Sequence, residues 1–194
     1  MGKIVVVGGG WAGCAAAIRA RKQGHRVVLL EKTDLLLGLG NVGGIMRNNG
    51  RFTAAEENIA MGSGELFQIT DRLSTHRNVD FPGHKHASFY DTAMVEPEVR
   101  RLLCSLGIEL KMMTRVIDVR LEKTEHDKRR ILRSVLAVTP GKNRAAGIDG
   151  LCQIEIEGDA FVETTGSTGP MGNCVRYGNG CSMCILRCPA FGPR

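Results

Sequence analysis

The sequence predicts an α/β fold in which a parallel sheet opens the chain and a β-meander completes it. Three observations point there. Residues 1–32 run as a short apolar strand, a glycine turn, an alanine-rich helix, a second apolar strand and an acid. Residues 54–62, 65–76 and about 91–106 carry apolar residues at helical spacing. Residues 108–164 then hold a series of strand-like runs separated by polar or glycine-containing turns.

The first unit carries the most chemistry. Lys3 to Val7 is a β-branched run, and Gly8-Gly9-Gly10-Trp11-Ala12-Gly13 follows at once. Gly8 lets the chain turn sharply off the strand, Gly10 lets backbone approach a pyrophosphate, and Gly13 lets helix and strand pack closely. The helix that begins at Trp11 and Ala12 presents free N–H groups and a positive dipole end to phosphates. Arg26 to Leu30 is the second strand, closed by Glu31 and Lys32. Glu31, 18 residues past Gly13, can accept hydrogen bonds from a ribose. A G-x-G-x-x-G acquires meaning from this strand–turn–helix setting, and here it predicts a dinucleotide site.

Further on, Leu35 to Gly44 (LLLGLGNVGG) intersperses four glycines with apolar residues. This predicts a buried loop, ending at Gly43 and Gly44, that lies against a flat ligand or packs beneath the first helix. Arg47 and Asn48 follow as groups able to hold anions. His84 and His86 would share one face of a strand, an arrangement that fits polar packing better than a metal site without a third ligand. Asp91 or Thr92 caps the helix that runs to about Leu106, with Gly107 at its C′ position. Ile108 to Leu121 reads as two strands broken near Thr114. The charged stretch 122–133 reads as a solvated hairpin connection, and strands follow at 134–139, 153–157 and 160–164, the last running into Thr165-Gly166.

Bulk properties set limits. Hydrophobic content of 43% and charged content of 24% are those of an ordinary globular protein, and a net charge of +6 fits an anionic ligand or simply a soluble surface. No uninterrupted apolar stretch approaches the roughly 18 residues of a membrane span. The N-terminal apolar run imitates a signal peptide, but the glycine fingerprint inside it accounts for it better. Seven cysteines, an odd number with four between residues 174 and 188, suit metal or redox chemistry in a reducing cytoplasm rather than a disulfide framework.

Three segments, in order, resemble the FAD-dependent oxidoreductases of the two-dinucleotide-binding-domain, glutathione-reductase-like class: VVVGGGWAGCAAA with VVLLEK, SLGIELKMMTRVIDV, and GDAFVETTGSTG. The resemblance implies a Rossmann-like FAD-binding domain over residues 1–172, with a small helical insertion at about 49–103. It implies that Gly8, Gly10, Trp11, Ala12 and Gly13 line the pyrophosphate and that Glu31, beside Lys32, takes the adenosine ribose. Gly43 and Gly44 would lie along the cofactor, Val116 would hold the adenine through its backbone, and Thr165 and Gly166 would pass near a phosphate or the ribityl chain. FAD would supply the hydride or electron chemistry, and no residue is assigned as a general acid or base. Thr164 stands where that class often has alanine.

The pattern GGG-x-AGC-x-AA also resembles tRNA-uridine-modifying flavoproteins, although Trp11 replaces their usual small or polar residue. A tRNA- or folate-linked flavoprotein is therefore one alternative; a non-catalytic nucleotide-binding subunit or inactive truncated fragment is the other. In the glutathione-reductase-like class a further domain follows the third segment, whereas 28 residues follow Gly166 here. The resemblance thus implies a partner subunit or a missing C-terminal domain and a small-molecule substrate; a nucleic-acid patch is the minority reading of the basic residues at 128–133.

Residues 173–194 form a cysteine-rich tail. Cys181-x2-Cys184-x3-Cys188-Pro189 echoes the last part of a ferredoxin run, with Cys174 available as a fourth thiolate for an iron–sulfur cluster. The same cysteines fit a zinc site less well, because a single C-x2-C pair is present. Cys181 and Cys184 also fit a redox dithiol. Cys14, Cys104 and Cys152 stand apart and read as buried residues.

Overall fold

A computed structural model describes residues 1–41, 47–48, 55–76, 88–123, 130–141 and 150–166. Strands β1 (Lys3–Val7) and β2 (Arg26–Leu30) flank helix α1 (Trp11–Lys22), and both are rich in β-branched or leucine side chains that suit a sheet buried on two faces. Strands β6 (Glu109–Lys111) and β10 (Ala160–Glu163) complete a parallel sheet in the order β10-β1-β2-β6. Its register sets Val5 beside Phe161 and Val28.

Alternation along the strands divides the core in two. Val6, Val27 and Leu29 face the helices, where they join Ala17 and Ile18 of α1. Val5, Val28 and Leu30 face the opposite way and meet Val135, Ala137 and Ile156. These last residues belong to a three-stranded antiparallel meander, β7 (Arg115–Lys123), β8 (Arg130–Pro140) and β9 (Leu151–Glu157). Helices, parallel sheet and meander therefore form three layers. Alanines at positions 15, 17 and 20 let α1 lie close to the sheet.

Between β2 and β6 lie a 3₁₀ turn (Gly38–Gly40), strand β3 (Arg47–Asn48), helices α2 (Ala55–Asn58) and α3 (Gly64–Arg72), strands β4 (Ser74–His76) and β5 (Ser88–Tyr90), and helix α4 (Thr92–Ser105). Two expectations need correction. The helix expected over 65–76 stops at Arg72, because Ser74 and His76 pair antiparallel with Tyr90 and Phe89 of β5. The insertion is consequently not purely helical, since β3, β5 and β4 form a small sheet within it. Residues 59–63 widen into a π-turn between α2 and α3, where Gly62 adopts φ 98°.

Helix α4 starts and ends as the sequence suggests. The Asp91 carboxylate accepts the Ala93 N–H at 2.8 Å. At the other end Gly107 takes φ 73°, with Ile108 N–H donating to Leu103 O and Gly107 N–H to Cys104 O, a Schellman closure. The break between β6 and β7 falls at Met113 (φ 54°) and the buried Thr114. Strand β8 begins at Arg130, inside the stretch read as a hairpin connection, and Arg133 is paired there with Glu122 at 2.6 Å.

Candidate functional site

The glycine turn lies at the carboxyl ends of β1, β2 and β10, where open α/β sheets bind their ligands. Its glycines do different work. At Gly8, φ is 106° and a Cβ would meet the Thr164 carbonyl oxygen at 2.6 Å. At Gly13 a Cβ would lie 1.8 Å from the Gly8 carbonyl oxygen, so only glycine lets α1 pack this closely. Gly10 is the opposite case: among the described residues nothing lies within 4 Å of where its Cβ would stand. Gly10 also occupies the N-cap of α1, which has no side-chain cap and no acid in its first turn. The first N–H groups of a helix lack intrahelical acceptors, so Trp11, Ala12 and Gly13 offer donors beside the open face at Gly10.

Trp11 contributes backbone only. Its ring is 8% exposed, stacked on Phe67 at 5.6 Å and edge-on to Tyr90 at 6.0 Å, within the core below. Ala12 is exposed at the helix start.

Glu31 is 6% exposed and turned toward the glycine turn. Its Oε2 accepts the Gly9 N–H at 2.7 Å, and its Oε1 accepts the Thr33 N–H at 2.8 Å and faces the Thr33 hydroxyl at 2.9 Å. The acid that closes β2 therefore also ties β2 to the turn after β1. Lys32 next to it is half-buried.

Val116, at the start of β7, is partly buried against the core between sheet and meander and sits opposite Ala137. At the end of β10 the Glu163 carboxylate accepts the Thr165 N–H at 2.6 Å and also pairs with the Thr165 hydroxyl. Gly166 follows, exposed, with φ 65°. Gly43, Gly44, His84, His86 and the four tail cysteines Cys174, Cys181, Cys184 and Cys188 lie outside the described residues. Among the described residues no group of three or more His, Cys, Asp or Glu side chains is arranged to hold a metal ion.

Several residues at the site carry no sequence motif of their own. Thr164 Oγ1 lies 2.8 Å from both the Val7 and the Gly8 carbonyl oxygens, fastening β10 to the turn. Gly9 is enclosed: a Cβ there would meet Leu36 Cδ2 at 2.8 Å. Leu37, fully buried at φ 70°, donates its N–H to Gly9 O at 2.7 Å. The Tyr90 hydroxyl donates to Gly40 O at 3.0 Å. Cys104 is exposed and Cys152 half-buried, against the reading of both as buried; Cys14 is buried beneath the turn with its Sγ 3.4 Å from Gly9 O. Burial pushes its thiol up to about 12, against small opposing help from a backbone hydrogen bond, so it is a neutral packing group. For Leu37 and Gly40 the hint available in the sequence was the glycine density of residues 38–44.

A cleft of about 720 Å³ opens at the other end of the sheet, lined among others by Lys3, Arg21, Arg26, Glu109 and Arg133. It mixes both signs of charge and lies away from the strand ends that carry the turn.

The sheet order, the turn and the open helix N-terminus define a dinucleotide-binding α/β domain of the flavoprotein kind. The model of the family described as GIDA, Glucose inhibited division protein A, matches residues 3–194, and the chain belongs to this FAD-binding, Rossmann-like family. Among solved structures it is similar to THI4 of Thermovibrio ammonificans, with TM-score 0.55 and 17% identity over 85% of this chain and 57% of that one. It is also similar to a flavoprotein/dehydrogenase from Cytophaga hutchinsonii, with TM-score 0.50 and 14% identity over 85% of this chain and 39% of that one. At these identities the likeness is one of fold. The FAD-dependent monooxygenase kojA of Aspergillus flavus is 45% identical over 49 residues, 25% of this chain and 11% of that protein. The chain thus matches about a tenth of that curated relative's length. Together these matches span several kinds of flavoprotein and do not single out the glutathione-reductase-like class. Among the described residues no helix is long and apolar enough to cross a membrane.

Proposed function

We propose that this chain holds FAD at its glycine turn as the cofactor-binding part of a cytoplasmic FAD-dependent oxidoreductase acting on a small molecule, completed by a partner subunit or a further domain. The observation that carries the reading is the contrast among the glycines: Gly8, Gly9 and Gly13 are closed in by protein, while among the described residues nothing covers Gly10 beside an uncapped helix N-terminus. That combination suits a diphosphate, which needs close backbone approach and N–H donors. Glu31 in this reading takes the ribose; among the described residues its Oε2 accepts one N–H, that of Gly9, and retains acceptor capacity. In this reading Lys32, Gly43 and Gly44 border the nucleotide, the Val116 backbone meets the adenine, and Thr165 and Gly166 pass the phosphate or ribityl part. FAD, when bound, supplies hydride or electron transfer; the chain supplies placement and exclusion of water.

Absorbance of purified protein and titration with FAD test this directly. Gly10→Val fits the open space and its φ of −71°, so the variant is expected to fold and to lose FAD. Equal FAD affinity in Gly10→Val and wild type sinks the reading.

If electrons leave the flavin through a second centre, Cys174, Cys181, Cys184 and Cys188 are the residues to receive them, as an iron–sulfur cluster or, through Cys181 and Cys184, as a dithiol. The support is their spacing. Iron, sulfide and zinc analysis of anaerobically purified protein separates these readings, and zinc without sulfide excludes the cluster.

A further inference from the structure

We infer that Glu96 and Arg100 of α4 are positioning residues for the cofactor site, holding the loop after β2 so that Gly38 lies against Gly10. This inference rests on the FAD reading above. Glu96 is 5% exposed, deep for a carboxylate. Its Oε1 accepts the Leu36 N–H at 3.3 Å and the Arg100 Nε–H at 2.9 Å, and also pairs with Arg100 Nη2. The same Nη2 donates to the Asp34 carbonyl oxygen at 2.7 Å. The loop backbone is therefore gripped on both sides of Leu35, at one carbonyl and at one N–H.

The next residues carry that grip to the turn. Leu37 is held at φ 70°, a left-handed conformation that disfavours leucine and persists only where its surroundings impose it. Its N–H is bonded to Gly9 O. At Gly38 a Cβ would stand 3.3 Å from Gly10 Cα, so the loop rests on the residue where the diphosphate approaches. An exposed i, i+4 pair adds little to a helix. A buried carboxylate is costly unless its partners are well placed. Apolar side chains would cover the loop equally well; they would not fix its backbone. The geometry thus assigns the pair to loop placement and, through Leu37 and Gly38, to the shape of the site at Gly10.

The test uses Arg100→Met, which keeps the aliphatic stem and removes the donors, Glu96→Gln, which keeps an acceptor for Leu36 and removes the charge, and Arg100→Lys as the conservative variant. Three quantities are measured on the full chain: FAD affinity by titration, amide hydrogen exchange at Leu37, Gly38 and Gly40 without FAD, and the urea unfolding midpoint. Arg100→Met is expected to weaken FAD binding about tenfold and to speed exchange at these amides, with Glu96→Gln smaller in both and Arg100→Lys partly restored. The inference is overturned if exchange in the loop is unchanged, or if FAD affinity stays within about twofold of wild type in Arg100→Met. An affinity loss that merely follows the unfolding midpoint also overturns it. If wild-type protein takes up no FAD, the cofactor reading fails, and the exchange arm still decides whether the pair holds the loop.

Discussion

Thr164 Oγ1 stands 2.8 Å from the Gly8 carbonyl oxygen and would lie 2.8 Å from a Cβ at Gly13, so one hydroxyl fills the niche that two glycines leave open. It joins the last strand of the parallel sheet to the turn after the first, across 156 residues of chain. Thr164→Ala should remove one hydrogen bond and cost about 1 kcal/mol in urea unfolding. Thr164→Val should cost more than Thr164→Ala, because a methyl group then faces two carbonyl oxygens. Equal stability of the two variants would show that the hydroxyl is not engaged.

Gly13 and Gly10 should separate packing from binding. Gly13→Ala places a methyl group 1.8 Å from the Gly8 carbonyl oxygen, so α1 must move away from the sheet. The expected cost is about 3 kcal/mol, at the upper end for overpacking. Gly10→Ala, in open space, should change stability by less than about 0.5 kcal/mol. Urea titrations of both variants check the pair.

Leu37 offers a reversal of the usual size order. Glycine relieves its left-handed backbone, whereas alanine keeps that strain and loses nearly as much buried surface. Loss of the buried side chain costs about 2–4 kcal/mol in either variant, and the backbone relief is about 1 kcal/mol. Both variants should be destabilised, with Leu37→Gly the more stable of the two. Thermal or urea unfolding that ranks them the other way would mean that φ is not constrained here.

Cys14 should be silent to thiol reagents in the native protein and react on unfolding. Its thiol is raised from 9.0 to about 12 by burial, so the folded state keeps a proton that the unfolded state loses. The stability this contributes is fully present below about pH 9 and is lost as pH rises toward 12. Cys14→Ala should therefore show a shallower alkaline fall in unfolding midpoint between those values than wild type does.

Much of the fold was legible because its signals are local. The β-branched runs, the alternation that divides the core at Val5 and Val6, the Asp91 cap and Gly107 all act within a few residues of themselves. Ser74 to His76 failed as helix because β5 pairs with it from beyond the helical window, and pairing across a gap leaves no periodic trace. At the site, Gly8, Gly10 and Gly13 announced themselves by spacing. Gly9 did not, although a Cβ there would stand 2.8 Å from Leu36 Cδ2 and 3.1 Å from Glu31 Oε2.

By itself the sequence determined the order of strand, turn and helix, the need for glycine where backbone meets backbone, and the free N–H groups at the start of the helix, since these follow from short-range sterics and helix geometry. Only the tertiary structure decided that Glu31 faces Gly9, that the Trp11 ring lies in the core against Phe67 and Tyr90, and that Glu96 and Arg100 reach the loop at Asp34 and Leu36. Those relationships join residues 22 to 79 positions apart, and which such groups meet is settled by how the layers pack.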